Sequence, residues 1–283
     1  HIGEFFPDSP IWFRWLGRLA APLFFYALAV GFQHTRNRKK YLLRLYLANV
    51  GMVFFNQIMC MLQRKLDYVA YQPKNHNIFT TLFCAGVLIC IWENRKEKKK
   101  FFTYIGIYIF WQAMVMGLAI LAEAFDYVWR GNALLQTVLR TNYIFPLLGG
   151  IWDAEGGVFF IVLGVWLYCA VENKWKLALR YILFCGAYMF MCQGDILYRI
   201  MSRFSFWGYH KLADVIYFGS SFVGIPLGTS DLSLLTEFYQ WMMIGALPIM
   251  LSCNGKRGKS LKWLFYAAYP LQFLVLYGIS YYK

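Results

Sequence analysis

The chain has 283 residues, 60% of them hydrophobic and 20% aromatic, with only 15% charged and a mean hydropathy of +0.45. That composition excludes a soluble globule, whose surface these side chains could not cover, and predicts an all-α polytopic integral membrane helical bundle forming a single domain over residues 1–283. The net charge of +14, from 28 basic against 14 acidic residues, would suit a nucleic-acid binder, but the basic residues fall in short clusters between apolar spans. That placement fits orientation in a bilayer with anionic headgroups, and no nucleic acid is expected as a partner.

In chain order, HIGEFFPDSP opens without Met and without the charged-then-apolar order of a cleavable signal, which reads as a fragment lacking an upstream segment. A helix needs about 20 apolar residues to cross a bilayer, and residues 11–33 form the first such span, ending in HTRNRKK. A second span covers 42–62, the polar loop QRKLDYVAYQPKNH follows, and 77–92 returns to the charge run at 95–100. Residues 101–122 cross again. Residues 123–156, with Pro146, Gly149 and Gly150, are too irregular for an ordinary span, and eight crossings leave 133–152 outside the membrane or re-entrant. Two spans, 157–171 and 177–198, flank ENKWK; a mixed stretch from 199 to 230 precedes the last pair, 233–252 and 261–281. This gives about eight spans, with a missing N-terminal helix expected before them.

Alternation assigns sides. If HTRNRKK is cytoplasmic, the 95–100 run, ENKWK and CNGKRGKSLK share its side, and together these loops hold most of the 28 basic residues, as the positive-inside rule requires. Residue 1 then lies on the outer side.

The polar residues within the spans are the candidates for chemistry. Arg14 and Arg18 are four apart on one helix face and repel each other. An arginine in hydrocarbon costs roughly 2.5 to 3.5 kcal/mol on insertion scales. Arg14 can snorkel to the interface; Arg18 lies a turn deeper and calls for an anion, with Glu123, Glu155, Asp195 and Glu237 as carboxylates at the same outer level. Gly17 and Ala21 offer a small-residue face for close helix approach, and Pro22 bends the helix. Asn56, Gln57 and Asn77 read either as amides joining helices or as lining of an outward-facing polar cavity. The seven cysteines, from Cys60 to Cys253, carry no disulfide or metal-ligand spacing, so no metal is expected, and Cys185 and Cys192 read as small apolar packing. His76 and His210 read as solvated, and His34 belongs to the basic turn.

Several stretches together carry a resemblance: HIGEFFP, RWLGRLAAPLFFYALAVGFQHTRNRKKYLLRL, NIFT, EGG before an apolar span, NGKRG and FYAAYPLQFLVLY. In this order they resemble the TraX family, named for pilin acetylation and similar to the wider transmembrane acyltransferase superfamily. The resemblance implies a multi-pass protein of the bacterial cytoplasmic (inner) membrane that transfers acetyl from acetyl-CoA to an acceptor, a pilin N-terminal amine or a glycan hydroxyl. It implies His1 as general base and Arg18 as the residue that orients the thioester or meets its oxyanion. Arg14, Asn56, Gln57, Asn77, Glu155 and Asp195 would line the polar cavity. The phosphates of acetyl-CoA would meet His34, Arg36, Arg38, Lys256 and Arg257. The chain departs from the family pattern at Gln272, where a YPxH histidine is usual; an amide there cannot exchange a proton at neutral pH. Two other classes fit the same buried charges: a transporter or flippase for an anionic substrate, and a non-catalytic membrane scaffold.

Overall fold

The structure is a computed structural model that describes residues 1–68, 77–128, 141–152, 154–193, 199, 203, 209–226, 232–253 and 262–282. Among the described residues every regular element is helical: α1 Ile2–Phe5, α2 Trp12–His34, α3 Arg38–Leu66, α4 Ile78–Glu93, α5 Lys98–Val128, α6 Thr141–Leu147, α7 Gly157–Tyr168, α8 Lys174–Gln193, α9 Tyr209–Val223, α10 Ala246–Ser252 and α11 Lys262–Tyr281, with a 3-10 turn at Gln240–Gly245. Five stretches are long and apolar enough to cross a membrane: Trp12–His34, Arg38–Leu66, Lys98–Ala122, Lys174–Gln193 and Leu264–Tyr281. The chain is an all-α, multi-pass membrane protein. The helices at Ile78–Glu93 and Gly157–Tyr168, each expected as a full span, are apolar but shorter.

The expected span 233–252 is not one helix. A turn whose backbone closes from Phe238 and Glu237 to Ser233 leads into the 3-10 turn and then the short α10. Hydrophobic content alone could not distinguish this from a continuous helix, because both bury apolar side chains at similar density. The basic turn is also shorter than expected: Asn37 caps α3 by accepting from the Lys40 backbone N–H at 2.9 Å, so Arg38, Lys39 and Lys40 already belong to the helix. An asparagine in the β-region supplies that cap by satisfying an otherwise unpaired first-turn donor.

The chain forms two compact units, His1–Gln33 with Val158–Lys283, and His34–Gly157. In the first, α2 buries Phe25, Leu28, Ala29 and Phe32, the i, i+3, i+4, i+7 stripe of a helix with one face inward. Phe25 meets Phe160 and Phe32 meets Tyr168, both on α7. On α8 the buried stripe is Leu177, Tyr181, Phe184, Cys185, Tyr188 and Cys192, so the two cysteines do pack inward. Tyr181, fully buried, donates to the Met243 carbonyl at 2.6 Å, tying α8 to the 3-10 turn.

The second unit is organised around backbone that is not regular helix. At the end of α6 the carbonyls of Pro146, Leu147, Leu148 and Gly149 each accept a side-chain donor: Asn49 Nδ2 at 2.6 Å, Tyr46 Oη at 2.8 Å, Trp111 Nε1 at 2.9 Å and Gln112 Nε2 at 3.2 Å. Gln112 completes a clasp by accepting from the Ile151 N–H at 3.0 Å. Irregular backbone at membrane depth is tolerated only where protein satisfies its polar groups. The segment expected to be outside or re-entrant is therefore held by donors from two membrane-length helices. Gly149 has φ +65, and a Cβ there would come 2.7 Å from Cε1 of Phe83, so glycine is required on both counts.

On α5 the side chains facing away from the protein are large and apolar, among them Phe102, Ile107, Ile109 and Phe110. In water these would be a liability; against acyl chains they are the expected outer surface.

Candidate active site

His1, Arg14 and Arg18 belong to the first unit. The short helix α1 folds back so that Gly3 rests on the Arg14 side chain; a Cβ at Gly3 would overlap Arg14 Cγ. This brings His1 to α11, where its ring lies 4.4 Å from the ring centroid of Phe273 and 5.9 Å from that of Tyr269, edge-on. Tyr269 in turn meets Phe24 of α2 at 6.4 Å. The imidazole is thus held by an aromatic wall, with Glu4 Oε2 at 3.4 Å from Nδ1. That distance is longer than a well-formed hydrogen bond, yet a carboxylate on this side favours the tautomer that leaves Nε2 as the basic nitrogen. Gln272 is exposed on α11 beside Phe273.

Among the described residues Arg18 meets no carboxylate. Its guanidinium carbon lies 4.9 Å from the centroid of the Tyr239 ring, within cation–π range. Tyr239 stands just before the 3-10 turn, outside the five membrane-length helices. Burial works to raise its pKa, and the nearby guanidiniums of Arg18 and Arg14 outweigh it, so the phenol ionises below its ordinary value. Trp15 fixes the neighbouring turn by donating from Nε1 to the Leu235 carbonyl at 2.8 Å. Of the carboxylates expected near Arg18, Glu237 is exposed and accepts from the Ser233 N–H at 2.8 Å. Glu155 belongs to the second unit, where Thr81 donates to its carbonyl at 3.0 Å. The Glu123 side chain and Asp195 lie outside the described residues.

The close approach expected at Gly17 is not seen: among the described residues nothing lies within 4 Å of a Cβ there, and the residue is exposed. At Gly3 a neighbour does come close, and it is the Arg14 side chain and not a helix backbone.

Asn77 is buried and donates from Nδ2 to Asn49 Oδ1 at 2.8 Å; Thr80 Oγ1 donates to the same oxygen at 2.7 Å. These amides join α3 and α4 in the second unit. Asn56 is buried on α3 and Gln57 half-buried beside it. Sequence reasoning passed over Asn49, although a buried asparagine within an apolar span is the same kind of signal that marked Asn56.

In the second unit His34 and Arg36 are exposed. Arg38 is engaged otherwise: its Nη2 lies 2.8 Å from Glu93 Oε1, its Nε donates to Glu93 Oε2 at 3.3 Å, and Nη1 donates to the Thr35 carbonyl. That bidentate pair ties the start of α3 to the end of α4. For a phosphate-bearing donor, His34 and Arg36 are thus the presented groups. Lys256 and Arg257 lie outside the described residues. No group of His, Cys, Asp or Glu among the described residues could hold a metal ion.

The family model described as "TraX protein" matches residues 1–191, more than half of the chain. The match takes in His1, Gly3, Arg14 and Arg18 and ends before Tyr239, Tyr269 and Phe273. Comparison with curated proteins gave no match, nor did comparison with solved structures.

Proposed function

The chain belongs to the TraX family, and from that premise we propose that it is an acetyltransferase of the bacterial cytoplasmic membrane, moving acetyl from cytoplasmic acetyl-CoA to an acceptor on the outer side. The single observation that carries the reading is the return of α1 onto α2, with Gly3 on the Arg14 stem and His1 on the Tyr269 and Phe273 rings. An imidazole and two guanidiniums are thereby gathered at one end of a membrane-length helix.

In this mechanism neutral His1 takes the proton of the acceptor amine or hydroxyl as its nitrogen or oxygen attacks the thioester carbonyl. Arg18 stabilises the oxyanion that forms there. Collapse breaks the carbon–sulfur bond, the acetyl group stays on the acceptor, and coenzyme A leaves as its thiol after taking up a proton. His34 and Arg36 are suited to the phosphates of the donor, which carry the opposite charge. The acceptor is a pilin N-terminal amine or a glycan hydroxyl.

The test uses the full-length protein in sealed, right-side-defined proteoliposomes given acetyl-CoA labelled in the acetyl group on the basic-loop side. Label appearing on an acceptor peptide or glycan on the far side, and lost in His1→Ala, is the expected result. No acetyl-CoA binding, or full transfer by His1→Ala, overturns the reading. Uptake of an unmodified solute would instead assign a transporter.

A further inference from the structure

The second unit contains a cavity of about 760 Å³, bounded by α3, α4, α5 and the carbonyl clasp that ends α6. On α5 its lining is Tyr104, Ile107, Tyr108 and Trp111, the i, i+3, i+4, i+7 pattern of one helix face. On α4 it runs from Phe83 to Asn94, about 16 Å of helix at 1.5 Å per residue. Tyr104, Ile107 and Trp111 are exposed, on the helix whose outer surface is suited to acyl chains. The cavity is therefore a groove that opens sideways into the hydrocarbon. Its polar groups are already engaged: Tyr46 Oη and Trp111 Nε1 donate to the Leu147 and Leu148 carbonyls, and Asn94 Nδ2 donates to the Cys90 carbonyl at 2.8 Å. The rest of the wall is aromatic and aliphatic. A sugar, a nucleotide or the amide-bearing arm of a coenzyme would lose water here without gaining partners. A hydrocarbon chain has no such cost, and it supplies the dispersion contacts that an empty groove forfeits.

The two ends of the groove differ in charge. At one end it is closed by the clasp at Leu147, Leu148 and Gly149. At the other, α3 and α5 begin and α4 ends, and Arg38 pairs with Glu93. Here Lys39 precedes Leu42 by three residues and Tyr46 by seven, and Lys100 precedes Tyr104 by four and Ile107 by seven. Each lysine therefore shares the helix face that lines the groove, and each is exposed. The fork of Arg38 is taken by Glu93, whereas Lys100 makes an exposed contact to Glu97 at 2.7 Å, a screened pair that leaves further ammonium donors. An apolar body with cations at one end is the complement of an anionic lipid, whose phosphate sits at the interface while its chain lies in hydrocarbon.

We propose that this groove binds one acyl chain of an anionic phospholipid, with the headgroup phosphate held by Lys39 and Lys100 and the chain running along α4 and α5 towards the clasp. The site belongs to the second unit and rests on none of the acetyl-transfer chemistry assigned to His1 and Arg18.

The experiment is photo-cross-linking of the full-length protein in phosphatidylcholine nanodiscs, using phosphatidylglycerol with a diazirine on one acyl chain as a minor component, followed by peptide mapping. Bulk lipid would label α5 in proportion to exposure, and Phe102, Ile109 and Phe110 are 67%, 62% and 71% exposed against 42%, 59% and 40% for Tyr104, Ile107 and Trp111. The expected label reverses that order and concentrates on Tyr104, Ile107 and Trp111. Excess unlabelled phosphatidylglycerol should suppress it, and the same excess of phosphatidylcholine should not. Lys39→Gln and Lys100→Gln should each lower the groove label by about fivefold, the contribution of one lysine beside an anionic headgroup. Lys176→Gln, at an exposed cation of the first unit, is the control and should leave the label unchanged. Val87→Trp places an indole in the groove and should abolish its label while Phe102 and Phe110 stay labelled. The face distribution is read in the unaltered protein, so the test does not depend on how that variant folds. Label that follows exposure around α5 overturns the site. Equal groove labelling by a diazirine phosphatidylcholine does so too, as does a loss in Lys176→Gln equal to that in Lys39→Gln and Lys100→Gln.

Discussion

Gly3 rests directly on the aliphatic stem of Arg14, so that any side chain at position 3 would occupy the place of the arginine's Cγ. The helix carrying this glycine is one turn long and contributes little to stability; what it contributes is the position of His1. Gly3→Ala should therefore lower acetyl transfer by on the order of a hundredfold, the loss that a misplacement of about 1 Å can cause, with only a small change in unfolding temperature. Gly17→Ala is the matched comparison, since among the described residues nothing lies within 4 Å of a Cβ there. It should leave transfer unchanged and stabilise α2 by up to about 1 kcal/mol, because alanine is the better helix former. Initial rates and thermal midpoints of the two variants, measured side by side, check both halves.

Asn49 is fully buried and serves three partners at once: it donates to the Pro146 carbonyl and accepts from Asn77 and Thr80. Asn49→Ala would leave each of them without that bond, at about 1 to 3 kcal/mol for a buried polar group left unsatisfied. The expected outcome is a loss of roughly 3 kcal/mol in unfolding free energy in detergent. Phe54→Ala, at an exposed site on the same helix, should cost much less, because acyl chains replace the lost contacts.

These residues also indicate how far sequence reasoning reaches. Arg14 and Arg18 are legible because charge is rare in an apolar span and a spacing of four defines a face. Tyr239 is not, since it lies more than 200 positions away in a chain with 21 tyrosines, and nothing local distinguishes it. Asn77 stands out at the head of an apolar run, whereas its partner Asn49 sits among residues that look like ordinary membrane helix. Gly17 was misleading because small residues permit close packing without requiring it. Residues 233–252 read as a span because hydropathy records burial and not backbone continuity; a turn, a 3-10 turn and a short helix bury the same side chains.

Arg38 and Arg36 separate two roles that their common charge conceals. The fork of Arg38 is occupied by Glu93 and the Thr35 carbonyl, whereas Arg36 is exposed. Arg38→Lys should lower stability by about 1 kcal/mol, as expected for a part-exposed pair that loses its bidentate geometry, without changing the KM for acetyl-CoA. Arg36→Gln should raise that KM several-fold and leave the unfolding midpoint in place. Steady-state kinetics with acetyl-CoA as the varied substrate, together with thermal unfolding, distinguish the two.

Tyr239 should also leave a signature in the alkaline stability of the protein. Its pKa in the folded state lies below the ordinary tyrosine value because Arg18 and Arg14 favour the phenolate over the opposing effect of burial. A group whose folded pKa is depressed binds its proton less tightly in the native state, so the ionised form adds stability to the fold. That contribution is fully present above the unfolded value, about 10, and is lost as the pH falls through the lower folded value. The difference in unfolding free energy between the native protein and Tyr239→Phe should therefore grow as pH rises towards 10 and then level off. Absorbance near the tyrosinate band should show one tyrosine ionising ahead of the rest in the native protein and none doing so in Tyr239→Phe. A pH-independent difference between the two proteins would mean that the guanidiniums do not act on the phenol as their positions require.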